Sequence, residues 1–266
     1  MNPGSAILIA ISLLGYASPL ATAQEPDPSN AVFMVHITDR DPVFNSTTQE
    51  YRVHSYGFCT AFFIGAEGTA MTNSHCGARV VKDPDKYRMI AIVGTEWYDV
   101  QMICASHLPY DATTHPREVE FSKDVSEIKL IPSDAYAGKK TTFYYPIKEL
   151  EMRPWATPHQ GALPAFPFLV IDGHPQGDVR VVGFGQIGAI PEKWTARGVV
   201  EKFFRARDGT ETFGIEMDNG RAQPGDSGAP VLNGQNRVVG LWTWHDTTKS
   251  NMGYAQSNSV LRNFCH

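Results

Sequence analysis

Three short segments hold the residues whose types and order could do chemistry together. The first is Thr72-Asn73-Ser74-His75-Cys76, the second opens at Asp124, and the third is Pro224-Gly225-Asp226-Ser227-Gly228-Ala229-Pro230. A serine hydroxyl is a poor nucleophile at neutral pH and needs a base to take its proton. It also needs donors aimed at the oxyanion that forms on an attacked carbonyl. Gly225 and Gly228 permit unusual backbone angles beside Ser227, and the N–H groups of Gly225 and Ser227 are the natural oxyanion-hole pair. Taken alone, the run also reads as an ordinary Gly-rich turn between strands.

His75 is the candidate base. It follows an apolar strand-like run and adjoins a cysteine able to lock its loop, and imidazole titrates near neutral pH. Seven of the other eight histidines, His36, His54, His107, His115, His159, His174 and His266, lack that setting and read as surface or structural. Asp124 is the candidate acid that orients the imidazole, mounted just before the run Ser126 to Leu130. On residue type alone Asp99, Asp111 and Glu127 are rivals for that role.

These residues need a rigid frame. The chain has 266 residues, 42% hydrophobic and 19% charged, enough to bury one or two cores. Its apolar runs are short and punctuated by 23 Gly and 18 Pro, which favours strands and turns over long helices. Strand-like runs cover 31–36, 57–65, 69–72, 87–93, 99–103 and 126–130 in the first half. Those in the second half cover 168–171, 179–184, 198–204, 212–216, 230–232 and 238–244. The Pro-rich stretch 140–168 separates the two sets. Ser257 to Phe264 reads as a short closing helix with Val260, Leu261 and Phe264 inward. An all-β chain of two domains follows, divided as 24–145 and 146–266.

Residues 1–23 read as a cleaved secretory signal peptide. Ala6 to Leu14 form its apolar core and Ala21-Thr22-Ala23 its cleavage site, although no Lys or Arg precedes the core. Gly15 and Pro19 argue against a retained anchor, so the mature chain is expected outside the cytoplasm, extracellular or periplasmic, with no stable membrane insertion. Export makes the four cysteines disulfide candidates. Cys59 and Cys76 flank the His75 region and form a natural pair, which leaves Cys104 with Cys265; free buried thiols are the alternative. A net charge of −5 without basic runs gives no support for a nucleic-acid partner. No His-Glu-x-x-His or clustered Cys/His spacing calls for a metal, and no cofactor is expected.

Together the motifs resemble the chymotrypsin-like (trypsin-fold) serine peptidases. Thr72-Asn-Ser-His75-Cys is similar to that family's Thr-Ala-Ala-His-Cys, and Asp124-Val-Ser-Glu-Ile-Lys-Leu to its Asp-Ile-Ala-Leu-Ile-Lys-Leu. Gly225-Asp-Ser227-Gly-Ala-Pro is similar to its Gly-Asp-Ser-Gly-Gly-Pro, with Ala229 the one change. Gly240-Leu-Trp-Thr243-Trp244 resembles Gly-Ile-Val-Ser-Trp, and Gly183-Phe-Gly185 sits where the second barrel opens. The order His, Asp, Ser also differs from the Ser, Asp, His order and Gly-x-Ser-x-Gly elbow of α/β-hydrolases.

The resemblance implies two six-stranded antiparallel Greek-key β-barrels with a short C-terminal helix. His75 and Asp124 would come from the first barrel and Ser227 from the second. It implies a Cys59–Cys76 disulfide, Thr243 supporting Asp124, and Thr243, Trp244 and His245 lining the substrate. The implied activity is endopeptidase cleavage of polypeptides through an acyl-enzyme. A catalytically inactive binding or adhesion module is the alternative.

Two features depart from the family. Nothing between Gln24 and Thr60 matches the Ile-Val-Gly-Gly start whose freed amine pairs with the Asp before the nucleophile, so Asp226 is expected to pair with an Arg or Lys of the fold and no activation cleavage is needed. Arg221 stands where trypsin-like relatives place the base of the primary pocket. It excludes trypsin-type specificity and suits acidic substrate side chains, with His245 as a further pocket residue. Arg221 pairing internally with Asp226 is the competing reading.

Overall fold

The computed structural model describes residues 27–106, 123–136, 141–145, 150–152, 157–185, 191–206, 209–218, 223, 225–246, 248–262 and 264–265. A 3₁₀ turn, Pro28–Ala31, opens it. Then come β1 (Val32–Asp39), β2 (Val43–Asn45), β3 (Glu50–Phe63), β4 (Thr69–Thr72), α1 (Ser74–Lys82), β5 (Tyr87–Val93), β6 (Glu96–Ala105) and β7 (Ser126–Ile131). Three short strands follow, β8 (Thr141–Tyr145), β9 (Leu150–Met152) and β10 (Thr157–Pro158). The second half holds β11 (Asp178–Gly185), β12 (Glu192–Arg205), β13 (Glu211–Met217), β14 (Pro230–Leu232), β15 (Val238–His245), β16 (Met252–Ser257) and α2 (Asn258–Leu261).

The expected two barrels are present. In the first, the order β1-β5-β6-β7-β4-β3 closes through antiparallel pairing of β3 with β1. In the second, β11-β12-β13-β16-β15-β14 closes likewise. Outside the first ring, β2 and β8 pair with the N-terminal half of the long β3, and β10 runs parallel to β6.

Period-2 alternation explains how each strand serves two cores. Phe33, Val35 and Ile37 of β1 and Ala61 and Phe63 of β3 point into the first barrel, with Tyr98, Ile128 and Leu130. Their neighbours Val32 and Phe62 point the other way, into a cluster shared between the barrels. That cluster adds Met71 and Val125 from the first half and Val182, Leu232, Val238 and Leu241 from the second. A third cluster, with Val181, Phe213, Ile215 and Trp242, fills the second barrel. Each large apolar side chain buried this way stabilises by about 1.5–3 kcal/mol. The shared cluster therefore makes the two barrels one packed body, which a site built from both requires.

Two expectations need correction. The run 168–171 is not a barrel strand. Leu169 N–H donates to Phe63 of the first barrel, whereas Val170 accepts from Val238 of the second, with only an isolated bridge at Ile171. Bonds shared between two sheets cannot extend a ladder in either, so the segment ties the barrels together. The closing helix is one turn, Asn258–Leu261, shorter than 257–264; Ser257 caps it, and Leu261 and Phe264 point inward as expected. Both disulfides form, Cys59–Cys76 and Cys104–Cys265, with Cα separations of 6.1 and 6.0 Å, ordinary for the bond. They suit an oxidising, non-cytoplasmic compartment. Among the described residues no helix is long and apolar enough to cross a membrane. The proposed signal peptide lies outside the described residues.

Candidate active site

His75 sits in the first turn of α1, directly after β4, and Asp124 lies two residues before β7. Because β4 pairs with β7, with Thr72 opposite Ser126, the sheet itself brings the two loops together. Asp124 is buried, at 1% exposure, and grips His75 twice. Its Oδ2 lies 2.6 Å from the ring Nδ1, and its Oδ1 accepts the His75 backbone N–H at 2.9 Å. Burial lowers the imidazole pKa, and the Asp124 carboxylate outweighs it, so the net shift is upward from 6.5. The rivals are otherwise engaged or unplaced. Asp99 bonds Ser133 and Arg88, Glu127 lies within β7, and Asp111 falls outside the described residues.

A second set of polar side chains holds this pair; of its members the sequence pointed to Thr243 alone. Asn73 occupies the N-cap position of α1 but makes no capping bond. Its amide instead donates to the Asp124 carbonyl at 2.7 Å and to Thr243 Oγ1 at 3.0 Å. Thr243 Oγ1 in turn donates to Leu241 O. The tie from Thr243 to Asp124 thus runs through Asn73 to the main chain. Gln256, from β16, accepts the Asp124 N–H at 3.1 Å. Ser74 donates to the Val125 carbonyl and meets Ser106 and Ser126 at 2.8 and 3.1 Å. The signal was visible: Asn73 and Ser74 stand where the related motif carries two alanines.

Ser227 lies in the turn before β14, at the second barrel's face toward the first. Thr60, next to the Cys59–Cys76 bridge, clamps this turn from the first barrel. Its N–H donates to Ser227 O at 2.8 Å and its hydroxyl to Gly225 O at 2.9 Å. The turn needs its glycines. Gly225 and Gly228 have φ of +103° and +87°. A Cβ on Gly225 would strike the Phe58 ring, and one on Gly228 the Thr60 carbonyl and Thr72 hydroxyl.

Within the turn, the N–H groups of Asp226, Gly228 and Ala229 donate to Gln223, Trp242 and Asp226 carbonyls. Among the described residues the N–H groups of Gly225 and Ser227 have no acceptor. Both donors are left open to an acceptor from outside the fold. Ser227 Oγ and His75 Nε2 make no hydrogen bond to each other or to other described residues. Such contacts are often long without substrate.

Among the described residues, Asp226 meets neutral donors. Asp226 is 1% exposed, and its oxygens accept from the Trp194 indole N–H at 2.7 Å and from the Gln223 N–H. Among the described residues no Lys or Arg pairs with it, because the turn faces the two glycines of β11 and the Trp194 ring of β12. Burial pushes the carboxyl up to about 7, against the two donors. Arg221 lies outside the described residues. Trp244 is half-buried and His245 exposed at the end of β15, paired with Tyr254 and Gly253. The Cys59 and Cys76 sulfurs and a His75 ring nitrogen lie within 4.8 Å of one another, but the sulfurs are bonded to each other and offer no thiolate.

Residues 59–241 match the family model of the trypsin-like peptidase domain. The chain belongs to the trypsin-like peptidases. No curated protein matches it significantly. Among solved structures, this peptidase is similar in fold to the Rv3671c protease in its inactive form, at 15% identity. The match has a TM-score of 0.50 and covers 88% of this chain and 86% of that one. It is similar also to an inactive-form serine-to-alanine mutant of Rv3671c from M. tuberculosis H37Rv. There the identity is 16%, the coverage 88% and 84%, and the TM-score 0.50.

Proposed function

We propose that this peptidase is a secreted serine endopeptidase in which Ser227 is the nucleophile, His75 the general base and Asp124 the orienting acid. The Asp124 carboxylate on His75 Nδ1 carries the reading. It holds the neutral ring in the tautomer that leaves the Nε2 lone pair for the Ser227 proton. Attack of Oγ on a peptide carbonyl places negative charge on its oxygen, toward the Gly225 and Ser227 N–H groups. The imidazolium then returns the proton to the leaving amine. Water, activated by the same base, releases the acyl group and restores Ser227.

Thr243, Trp244 and His245 line the substrate in this reading, and Arg221 sets a preference for acidic side chains. A panel of peptides differing only in the residue before the scissile bond tests that preference. Cleavage after Lys or Arg, with none after Glu or Asp, sinks it.

Fluorophosphonate labelling of the wild type, Ser227→Ala and His75→Ala tests the mechanism. The wild type should label and both variants should not, with peptide turnover falling about 10⁴–10⁶-fold. Labelling that survives Ser227→Ala overturns the assignment. The competing reading, an inactive binding or adhesion module, draws on the open Ser227–His75 contact; a wild type that takes no label decides for it.

A further inference from the structure

Asp226 lies in the chain between Gly225 and Ser227, whose N–H groups are assigned to the oxyanion hole, so whatever holds its side chain restrains both peptide units. Its side-chain partner is unusual in kind. Trp194 projects from β12, opposite Gly183 of β11, and its indole N–H reaches Asp226 Oδ1 at 2.7 Å. The strand between them is cut away to allow this. A Cβ on Gly185 would stand 2.9 Å from the indole nitrogen, 3.0 Å from Asp226 Oδ1 and 2.8 Å from Gln223 Cβ. At Gly183 an added Cβ would crowd Ala229 Cβ at 3.1 Å and Thr60 Oγ1 at 3.3 Å instead, and meet the carboxyl only at ordinary contact distance. The nearest cation along β12, Lys193, is turned away, with its ammonium on the Ser29 carbonyl and over the Phe184 ring. No charged or titratable side chain among the described residues acts on the carboxyl.

We propose that Trp194 is a positioning residue for catalysis, whose neutral indole N–H replaces a cation on Asp226 and fixes the Gly225–Ser227 backbone in its oxyanion-binding form. The assignment rests on Ser227 being the nucleophile. It explains how a chain without an evident activating amine can hold this turn. It also explains why β11 carries glycine at 185, where a Cβ would crowd both the indole and the carboxyl. An indole is rigid and enters from a barrel strand, so the turn inherits the order of the sheet.

Trp194→Phe keeps the ring and removes the donor. With that substitution kcat should fall about 10- to 100-fold, a part of what losing an oxyanion donor costs, with KM within about threefold. Amide exchange over 223–228 should accelerate while exchange in β11 and β12 stays unchanged. Because Trp194 acts through Asp226, the Trp194→Phe/Asp226→Asn double variant should be no slower than Asp226→Asn alone. Fully additive losses overturn the proposal, as does unchanged exchange over 223–228.

If Trp194→Phe does not fold, the wild-type indole N–H resonance decides. It should titrate with a buried carboxyl and shift in Asp226→Asn; a resonance indifferent to both overturns the pairing. A wild type that takes no fluorophosphonate strikes the nucleophile reading instead, and the exchange and resonance measurements still judge Trp194.

Discussion

At the scale of single residues, the site is governed by two buried carboxyls that face opposite electrostatic demands. Asp124 meets an imidazole and raises its pKa above 6.5. As the proposed base, His75 works only when neutral, so kcat/KM should rise with pH through an ionisation above that of free imidazole. Asp124→Asn should move this ionisation down and lower kcat about 10⁴-fold; a pH–rate profile of both proteins checks it. An unchanged profile in the variant would show that Asp124 does not act on the base.

Among the described residues Asp226 meets only neutral donors, and burial raises its carboxyl to about 7. Because the folded value exceeds the unfolded one near 4, its contribution to stability is fully present below about pH 4. It is lost as pH rises through 7, on the order of 4 kcal/mol in all. Asp226→Asn should flatten that part of the curve, measured as urea midpoints between pH 4 and 8. A variant with the wild-type slope would mean that the carboxyl ionises normally in the fold.

At the scale of elements, the chemistry was far more legible than its mounting. Ser, His and Asp announce themselves by type, and strand alternation exposed most of both barrels. Helix α1 was hidden because Ser74-His75-Cys76-Gly77 has neither an acidic first turn nor a capping side chain. Its N-cap residue, Asn73, is diverted to Asp124 and Thr243. Strand β16, Met-Gly-Tyr-Ala-Gln-Ser, lacks the β-branched signature of a strand and is specified by pairing with β13 and β15. Long-range partners such as Trp194 and Thr60 leave no local pattern at all, since their bonds span 32 and 165 positions.

The diverted cap gives its own prediction. Asn73→Ala strands a buried carbonyl and a buried hydroxyl, so it should destabilise by about 1–3 kcal/mol. It should also lower kcat by loosening Asp124, whereas loss of an ordinary cap would leave kcat alone. Thermal unfolding beside steady-state kinetics separates the two. Gly228→Ala is harsher: its Cβ meets main chain, which cannot rotate away, and its φ is left-handed. It should abolish fluorophosphonate labelling even where circular dichroism shows intact barrels.

At the scale of the whole molecule, the two disulfides do different work, and removing each should separate stability from activity. Cys104–Cys265 joins the end of β6 to the chain's last residues and closes a span of 161 residues. In the chain-entropy model such a loop stabilises by about 5 kcal/mol, and a 17-residue span such as that of Cys59–Cys76 by about 3 kcal/mol. The long bridge anchors Leu261 and Phe264 against the inter-barrel cluster and touches none of the candidate catalytic residues. The short bridge joins the neighbour of Thr60, which clamps the Ser227 turn, to the neighbour of His75. It is therefore a covalent strut between the proposed nucleophile and the proposed base. Replacing Cys104 and Cys265 by Ser should cost the larger stability while leaving kcat within a few-fold of wild type at low temperature. Replacing Cys59 and Cys76 by Ser should cost less stability but depress kcat at every temperature, because the base and the turn then drift independently. Denaturant midpoints and kcat measured on both double variants check this. Equal losses of kcat in the two would mean that the barrels' shared core, and not the strut, sets the distance between Ser227 and His75.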